Sequence, residues 1–123
     1  MRVLLVEDDP KLGPLLEQGL GEDGFEVVWV RDGEAGLARA LRESFHIILL
    51  DYMLPSKSGY EFTVDLRESG RRTPILMLTA RDAPEDLTRA RLAGVNDVMG
   101  KPFRFAELTD RIRALASDTV DRS

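Results

Sequence analysis

Five short apolar runs, separated by stretches with helical spacing, leave this chain few folds to choose from. The runs are residues 3–6, 27–30, 47–50, 75–78 and a weaker 98–99. Between them, apolar side chains recur at three- and four-residue intervals, the period of a helix with one buried face. Leu12, Leu15, Leu16 and Leu20 share one such face, and Leu37, Ala38 and Leu41 another. Phe62 with Leu66, then Leu87, Ala90 and Ala93, then Phe105, Leu108, Ile112 and Leu115 follow the same rule. Gly24 and Gly94 stand where helix C-caps belong. Strict alternation of strand and helix calls for parallel strands joined by right-handed crossovers. The runs are apolar throughout, as in strands covered by helices on both sides. The expectation is an α/β fold, a doubly wound (βα)5 domain around a five-stranded parallel sheet.

The chain has 123 residues, enough for one domain with a real core and too few for two. Hydrophobic residues make up 43% and charged residues 32%, the balance of a globular chain rather than a disordered one. A net charge of −5 argues against bulk attraction to nucleic acid or to an anionic membrane. With no cysteine there is no disulfide framework and no thiolate metal site. The N-terminal apolar run is too short for a signal peptide or a membrane helix, so the chain reads as cytoplasmic with no membrane partner. The domain is expected over residues 1–116, with residues 117–123 a polar tail or the start of a linker that frays. Gly13 and Pro14 fit poorly. They fall inside the first helix, where Pro14 should weaken or kink the helix start.

Ligands of open α/β sheets bind beyond the C-terminal ends of the strands. Glu7, Asp8 and Asp9 follow the first run, Asp51 the third, Thr79 the fourth and Lys101 the fifth. Acids, one hydroxyl and one ammonium therefore converge on one rim. Clustered carboxylates repel one another, and a hard divalent cation such as Mg2+ relieves this while needing only one or two direct carboxylates. A carboxylate can also attack phosphorus to give an acyl phosphate. Charge on the transferring group is then neutralised by the cation, an ammonium and a hydroxyl donor. Asp51 is the candidate nucleophile, because it is the lone acid at the end of the central strand. The acids after the first strand are candidate metal ligands.

Each residue has a plainer reading. Asp9 before Pro10 makes a good N-cap with Pro at the first helical position. Asp32 before Gly33 reads as a cap or turn residue. Thr79 alone is an ordinary strand-end hydroxyl and Lys101 alone a solvated charge. Their joint placement on one rim is what favours a shared site. His46 precedes the third strand, at the opposite end, and reads as a surface residue. Phe25 and Trp29 read as core or sheet-edge packing. Two other classes compete. An acyl-phosphate hydrolase on a similar sheet usually carries a second acid two residues after the nucleophile, where this chain has Met53. A flavin-binding electron carrier needs a neutral phosphate loop after the first strand, where this chain has three acids.

The strings "VLLVEDD" at 3–9, "DYMLPSKSG" at 51–59, "PILMLTA" at 74–80 and "KPF" at 101–103 resemble the receiver domain of bacterial two-component response regulators. The resemblance covers residues 2–116 and implies a flavodoxin-like strand order, 2-1-3-4-5. It implies that Asp51 is the phosphoacceptor for a sensor histidine kinase and that Mg2+ is the cofactor. Asp8 would ligate the metal directly, Glu7 largely through water, and Met53 through its backbone carbonyl. Thr79 would be the switch hydroxyl, and Lys101 would pair with the phosphoryl oxygens, its bond to Pro102 cis. Met53 and Arg81 would tune phosphoryl lifetime. Such a domain is not a conventional enzyme; it catalyses its own phosphorylation and slow dephosphorylation.

Residues 80–115 most resemble the subfamily with a winged-helix DNA-binding output domain. There a homodimer forms on phosphorylation through the fourth helix, fifth strand and fifth helix. Arg89, Asp97, Glu107, Arg111 and Arg113 match charges of that face. Four positions depart from it. Leu87 replaces a basic residue, Asn96 an acid, Val98 the aromatic that changes rotamer, and Gly100 a bulkier residue. DNA would be reached only through an attached domain, in control of transcription. The alternative is a stand-alone receiver serving as a phospho-relay or docking module.

Overall fold

The apolar runs form strands, and a helix follows each one. The computed structural model describes residues 1–80 and 84–121. Its elements are β1 (Arg2–Val6), α1 (Leu12–Glu22), β2 (Glu26–Val30), α2 (Gly33–Arg42) and β3 (Ile47–Asp51), then α3 (Gly59–Glu68), β4 (Ile75–Thr79), α4 (Pro84–Ala93), β5 (Asp97–Gly100) and α5 (Phe105–Asp121). The strands make one parallel sheet in the order β2-β1-β3-β4-β5. That is the expected order.

Successive side chains of a strand point to opposite faces, and the core divides accordingly. Val3, Leu5, Ile47, Leu49, Leu76 and Leu78 pack with Leu16 and Leu20 of α1 and Leu108 and Ile112 of α5. Leu4, Val6, Ile48, Leu50, Ile75 and Met77 pack with Ala40 of α2, Phe62 and Leu66 of α3 and Ala90 of α4. Each large side chain fully buried this way contributes about 1.5–3 kcal/mol. β3 and β4 are buried along their whole length, and β1 is buried from Val3 to Val6. The outer strand β2 is only half-buried, since an edge strand has a neighbour on one side alone. The expectation of two covered faces holds for β3 and β4 and fails there.

Three helix faces differ from the expected ones. On α5, Leu108 and Ile112 are buried as expected, but Phe105, at the helix start, is 39% exposed. On α2 the buried residues are Gly33, Gly36 and Ala40, while Ala38 and Leu41 are exposed. The helix lies too close to the sheet for larger side chains: a Cβ on Gly36 would fall 2.9 Å from Val6. On α1 the buried residues are Gly13, Leu16 and Leu20, and Leu15 is 67% exposed. Helix α5 continues to Asp121, past residue 116 where the expected boundary lay. Gly24 and Gly94 have positive φ, 95° and 120°, at the ends of α1 and α4, as C-cap glycines do.

The loop after β3 is clamped between two helix starts. Ser58 caps α3 in a reciprocal pair with Glu61. The Gly59 N–H donates to the Tyr52 carbonyl at 2.8 Å, and a Cβ there would lie 2.6 Å from the Asp51 carbonyl oxygen. On the other side the Gly33 N–H donates to the Pro55 carbonyl at 3.1 Å, and Ser56 Oγ donates to Asp32 Oδ1 at 3.1 Å. Asp32 also caps α2 by accepting from the Ala35 N–H.

Opposite effects of one substitution test this account of the glycines. Gly33→Ala places a Cβ 2.0 Å from the Lys57 carbonyl oxygen and should destabilise by about 1–3 kcal/mol. Gly21→Ala, in α1 with no described atom within 4 Å, should stabilise by about 0.5–1 kcal/mol through helix propensity. Urea midpoints of the two variants would move in opposite directions.

Candidate functional site

Strand ends place the charged residues. Glu7 and Asp8 leave β1, and β1 and β3 are neighbours paired from Val3 with Ile47 to Val6 with Leu50. That register brings the β1 acids beside Asp51, the last residue of β3. Carboxylate oxygens of Glu7, Asp8 and Asp51 lie within 4.8 Å of one another. Lys101, just past β5, reaches between them: its Nζ donates to Glu7 Oε1 at 2.9 Å and to Asp51 Oδ1 at 3.2 Å. The peptide bond from Lys101 to Pro102 is cis. The Lys101 backbone N–H donates to the Thr79 carbonyl at 2.8 Å. Thr79 itself is buried at the end of β4, paired with Gly100.

Burial governs the electrostatics. Glu7 is 1% exposed and Asp51 7%. Burial first, and the negative charge of Glu7 second, push the Asp51 carboxyl up to about 6, against the opposing pull of Lys101. Burial works against the Lys101 charge too, but the hydrogen bond to Glu7 and the charge of Asp51 outweigh it and raise its pKa. Glu7 is held from both sides, because its Oε2 accepts from the Asp9 N–H at 3.1 Å. The donor set is all oxygen and carries more negative charge than one ammonium neutralises. It fits a hard divalent cation such as Mg2+ and lacks the nitrogen and sulfur ligands of a zinc site.

A family profile described as the response regulator receiver domain matches residues 3–113. The chain belongs to this family. Transcriptional activator protein IrlR of Burkholderia pseudomallei is 44% identical over 115 residues, covering 94% of this chain and 50% of that protein. The receiver thus spans about half the length of the curated relatives it matches. The receiver domain of sensor histidine kinase PA1611 from Pseudomonas aeruginosa PAO1, solved with magnesium coordinated in its active site cleft, superposes with a TM-score of 0.86 at 37% identity, covering 94% of this chain and 97% of that one. The BeF3-activated N-terminal receiver domain of Klebsiella pneumoniae RstA gives a TM-score of 0.88 at 32% identity, covering 94% and 98%.

In this receiver Glu7, Asp8, Asp51, Thr79 and Lys101 all lie at one rim. Met53 stands in the clamped loop, 61% exposed. Arg81 lies outside the described residues. Asp9 stands before the turn that leads into α1, whose N-cap position is Lys11 rather than Asp9: its Oδ1 accepts from the Lys11 and Leu12 N–H groups at 2.8 and 3.2 Å, and these bonds hold its carboxyl below the usual range. His46 is exposed at the far end, its Nδ1 accepting from the Arg2 N–H.

The residues matched to an output face divide. Asp97 accepts from Arg111 at 3.1 Å and pairs with Arg91 of α4 at 3.7 Å, while Arg111 also pairs with Glu107 at 3.0 Å. Val98 sits half-buried beside them on β5. Arg89 stacks on the Tyr60 ring at 4.6 Å. Arg113 does not join this group. It pairs with Asp23 at 2.7 Å and lies over Phe25, at the turn between α1 and β2. Sequence reading missed Arg91 in the Asp97 network, and it missed the hydrogen bond from Trp29 Nε1 to the Glu7 carbonyl at 2.8 Å. The second pair is 22 residues apart in sequence, so no local pattern signals it.

The raised Asp51 pKa fixes a sign. Below the unfolded value near 3.8 the carboxyl is neutral in both states; as pH rises through about 6 the folded state must carry a buried charge, and stability is lost. In the absence of Mg2+, Asp51→Asn should therefore stabilise the fold at pH 7.5 by on the order of 1–2 kcal/mol after allowance for solvent screening. The gain should vanish below pH 4 or so. Thermal melts of both proteins across this range provide the check, and added Mg2+ should raise the wild-type midpoint more than that of the variant.

Proposed function

We propose that Asp51 accepts a phosphoryl group from the phosphohistidine of a sensor histidine kinase, with Mg2+ as cofactor. The observation that carries this reading is the half-buried Lys101 ammonium, which bridges Asp51 and Glu7 at 3.2 and 2.9 Å. A carboxylate oxygen of Asp51 forms the bond to phosphorus, the phosphorus–nitrogen bond breaks, and the imidazole leaves. Lys101 faces the charge that develops on the phosphoryl oxygens, and Thr79 supplies a hydroxyl from the end of β4. Asp8, Asp51 and the Met53 backbone carbonyl would hold the metal, with Glu7 acting through water because Lys101 and Asp9 already occupy its oxygens. Bound Mg2+ would supply further charge neutralisation at the phosphoryl group. Met53 and Arg81 would border the attacking water and set the lifetime of the acyl phosphate. Beside Lys101 a cleft of about 430 Å3, lined by Lys11, Leu12, Leu15, Pro102 and Phe103, offers a donor protein apolar surface next to the acceptor.

The phosphorylated state would shift the face of α4, β5 and α5 toward a homodimer through Arg89, Asp97, Val98, Glu107, Arg111 and Arg113, in the cytoplasm. Output would be transcriptional, through a DNA-binding domain attached beyond this domain. The net charge of −5 supports a separate domain for DNA, and the relatives named as transcriptional regulators are about twice as long. Val98 and the diversion of Arg113 to Asp23 favour the second reading, a relay or docking receiver without this dimer.

Intact mass after incubation with a small phosphodonor tests the chemistry. One Mg2+-dependent phosphoryl adduct is expected on the wild type and none on Asp51→Asn; Lys101→Met should slow uptake by about 10²-fold. Light scattering tests the output. The phosphorylated wild type should double in mass, and Arg111→Glu, which breaks the pairs with Asp97 and Glu107, should prevent it. A phosphorylated wild type that stays monomeric would move the relay reading to first place.

A further inference from the structure

Two features with no role in the proposed chemistry, Gly13 in the first turn of α1 and the chain's only tryptophan, meet at the acidic rim. Trp29 stands on the edge strand β2, its ring half-buried against the core layer that includes Leu5 and Leu16. Its Nε1–H donates to the Glu7 carbonyl at 2.8 Å, and the Glu7 N–H donates to the Val30 carbonyl at 3.1 Å. Both backbone polar groups of Glu7 are thus held by β2. The Glu7 carbonyl belongs to the planar peptide that leads into Asp8, so fixing its oxygen fixes the direction from which Asp8 departs. The Arg31 guanidinium lies 5.6 Å from the Trp29 ring centre, and its Nη2 is 3.5 Å from the Asp8 carbonyl, at the outer limit of a hydrogen bond.

Gly13 makes this arrangement possible. A Cβ at position 13 would fall 2.3 Å from the indole ring and 2.8 Å from Nε1. Any side chain there would push the ring off its acceptor. A glycine weakens a helix, and Pro14 beside it forfeits a helical bond; the bond from the Leu15 N–H to the Lys11 carbonyl is stretched to 3.4 Å. The first turn of α1 is therefore built for close approach to the tryptophan rather than for helix stability.

We infer that Trp29 is a positioning residue for the metal site: its indole N–H fixes the Glu7–Asp8 peptide, and glycine at 13 is the seat its ring requires. This rests on the reading of Glu7 and Asp8 as metal-site residues. Packing alone would be served by phenylalanine. The donor is what phenylalanine lacks, and the nearly inaccessible Glu7 has little water to replace it. Partners of this kind, one step removed from the ligands, typically alter metal affinity 10–100-fold.

Calorimetric titration with Mg2+ tests the inference, alongside urea unfolding without metal. Trp29→Phe should weaken Mg2+ binding about tenfold. Gly13→Ala, which keeps the donor but displaces the ring, should do likewise, and the double variant should lose no more than either single one. Ile112→Val, in the same core layer, should lower stability and leave Mg2+ affinity unchanged. Phosphoryl uptake by Trp29→Phe should recover its wild-type rate at saturating Mg2+. If the wild type binds Mg2+ and Trp29→Phe binds it within twofold as tightly, the indole only packs and the inference is wrong. If the wild type binds no Mg2+ while Asp8→Ala matches it in every titration, the metal reading itself falls, and the inference with it.

Discussion

The Lys101 ammonium lies between two carboxylates that have almost no access to water, and the rest of the site depends on that placement. Buried like charges raise one another's proton affinity unless a cation intervenes. Three ionised acids and one lysine leave two negative charges at the rim. A divalent cation would balance them, and the phosphoryl group would bring negative charge back to a place where both cations already stand. Lys101 is thus a partial neutraliser. It lets Asp51 sit in a buried, ionisable state near neutral pH without the site collapsing into a closed ion pair.

The sheet supplies the rigidity this requires and, at its far edge, the freedom a switch requires. β3 and β4 are buried from end to end, and β1 from Val3 onward. The loop after Asp51 is bonded to the starts of both α2 and α3. Asp51 therefore stands on fixed ground. Along α4, by contrast, Ala90 is the one buried residue, and a helix seated on so small an apolar area opens at low cost. The two halves meet at Thr79 and Lys101, where the ends of β4 and β5 are joined by the bond between the Lys101 N–H and the Thr79 carbonyl.

Much of this was legible in the sequence, because continuous apolar runs mark buried parallel strands and the residue that ends each run is at the rim by construction. That argument located Glu7, Asp8, Asp51, Thr79 and Lys101. It failed where small residues do the packing. The α2 face was assigned to Leu37, Ala38 and Leu41 on hydrophobicity, yet a close approach to Val6 selects glycine and alanine instead. It also failed for contacts made across the fold. Arg113 finds Asp23 some 90 positions away, and Arg67 of α3 holds the Gly94 carbonyl and Asn96 at 2.9–3.1 Å. The Asn96 side chain also accepts from the Ile75 N–H at 2.8 Å. Asn96 thus joins α3, β4 and β5 with its oxygen alone, a role open to an acid as well.

Val98 stands where the proposed output face would carry an aromatic ring, so coupling there would run through what remains. Asp97 is shared between Arg91 of α4 and Arg111 of α5, and Arg89 ties α4 to the start of α3 through Tyr60. All three arginines are partly or well exposed. Such pairs contribute about 0–1 kcal/mol each and weaken with salt. Turning a two-state equilibrium from 1:99 to 99:1 takes about 5.5 kcal/mol. That is within the reach of a phosphoryl group held by a half-buried lysine and a divalent cation, and well above what exposed pairs oppose. The weakness of the output face is therefore what would let a chemical change at Asp51 decide its state.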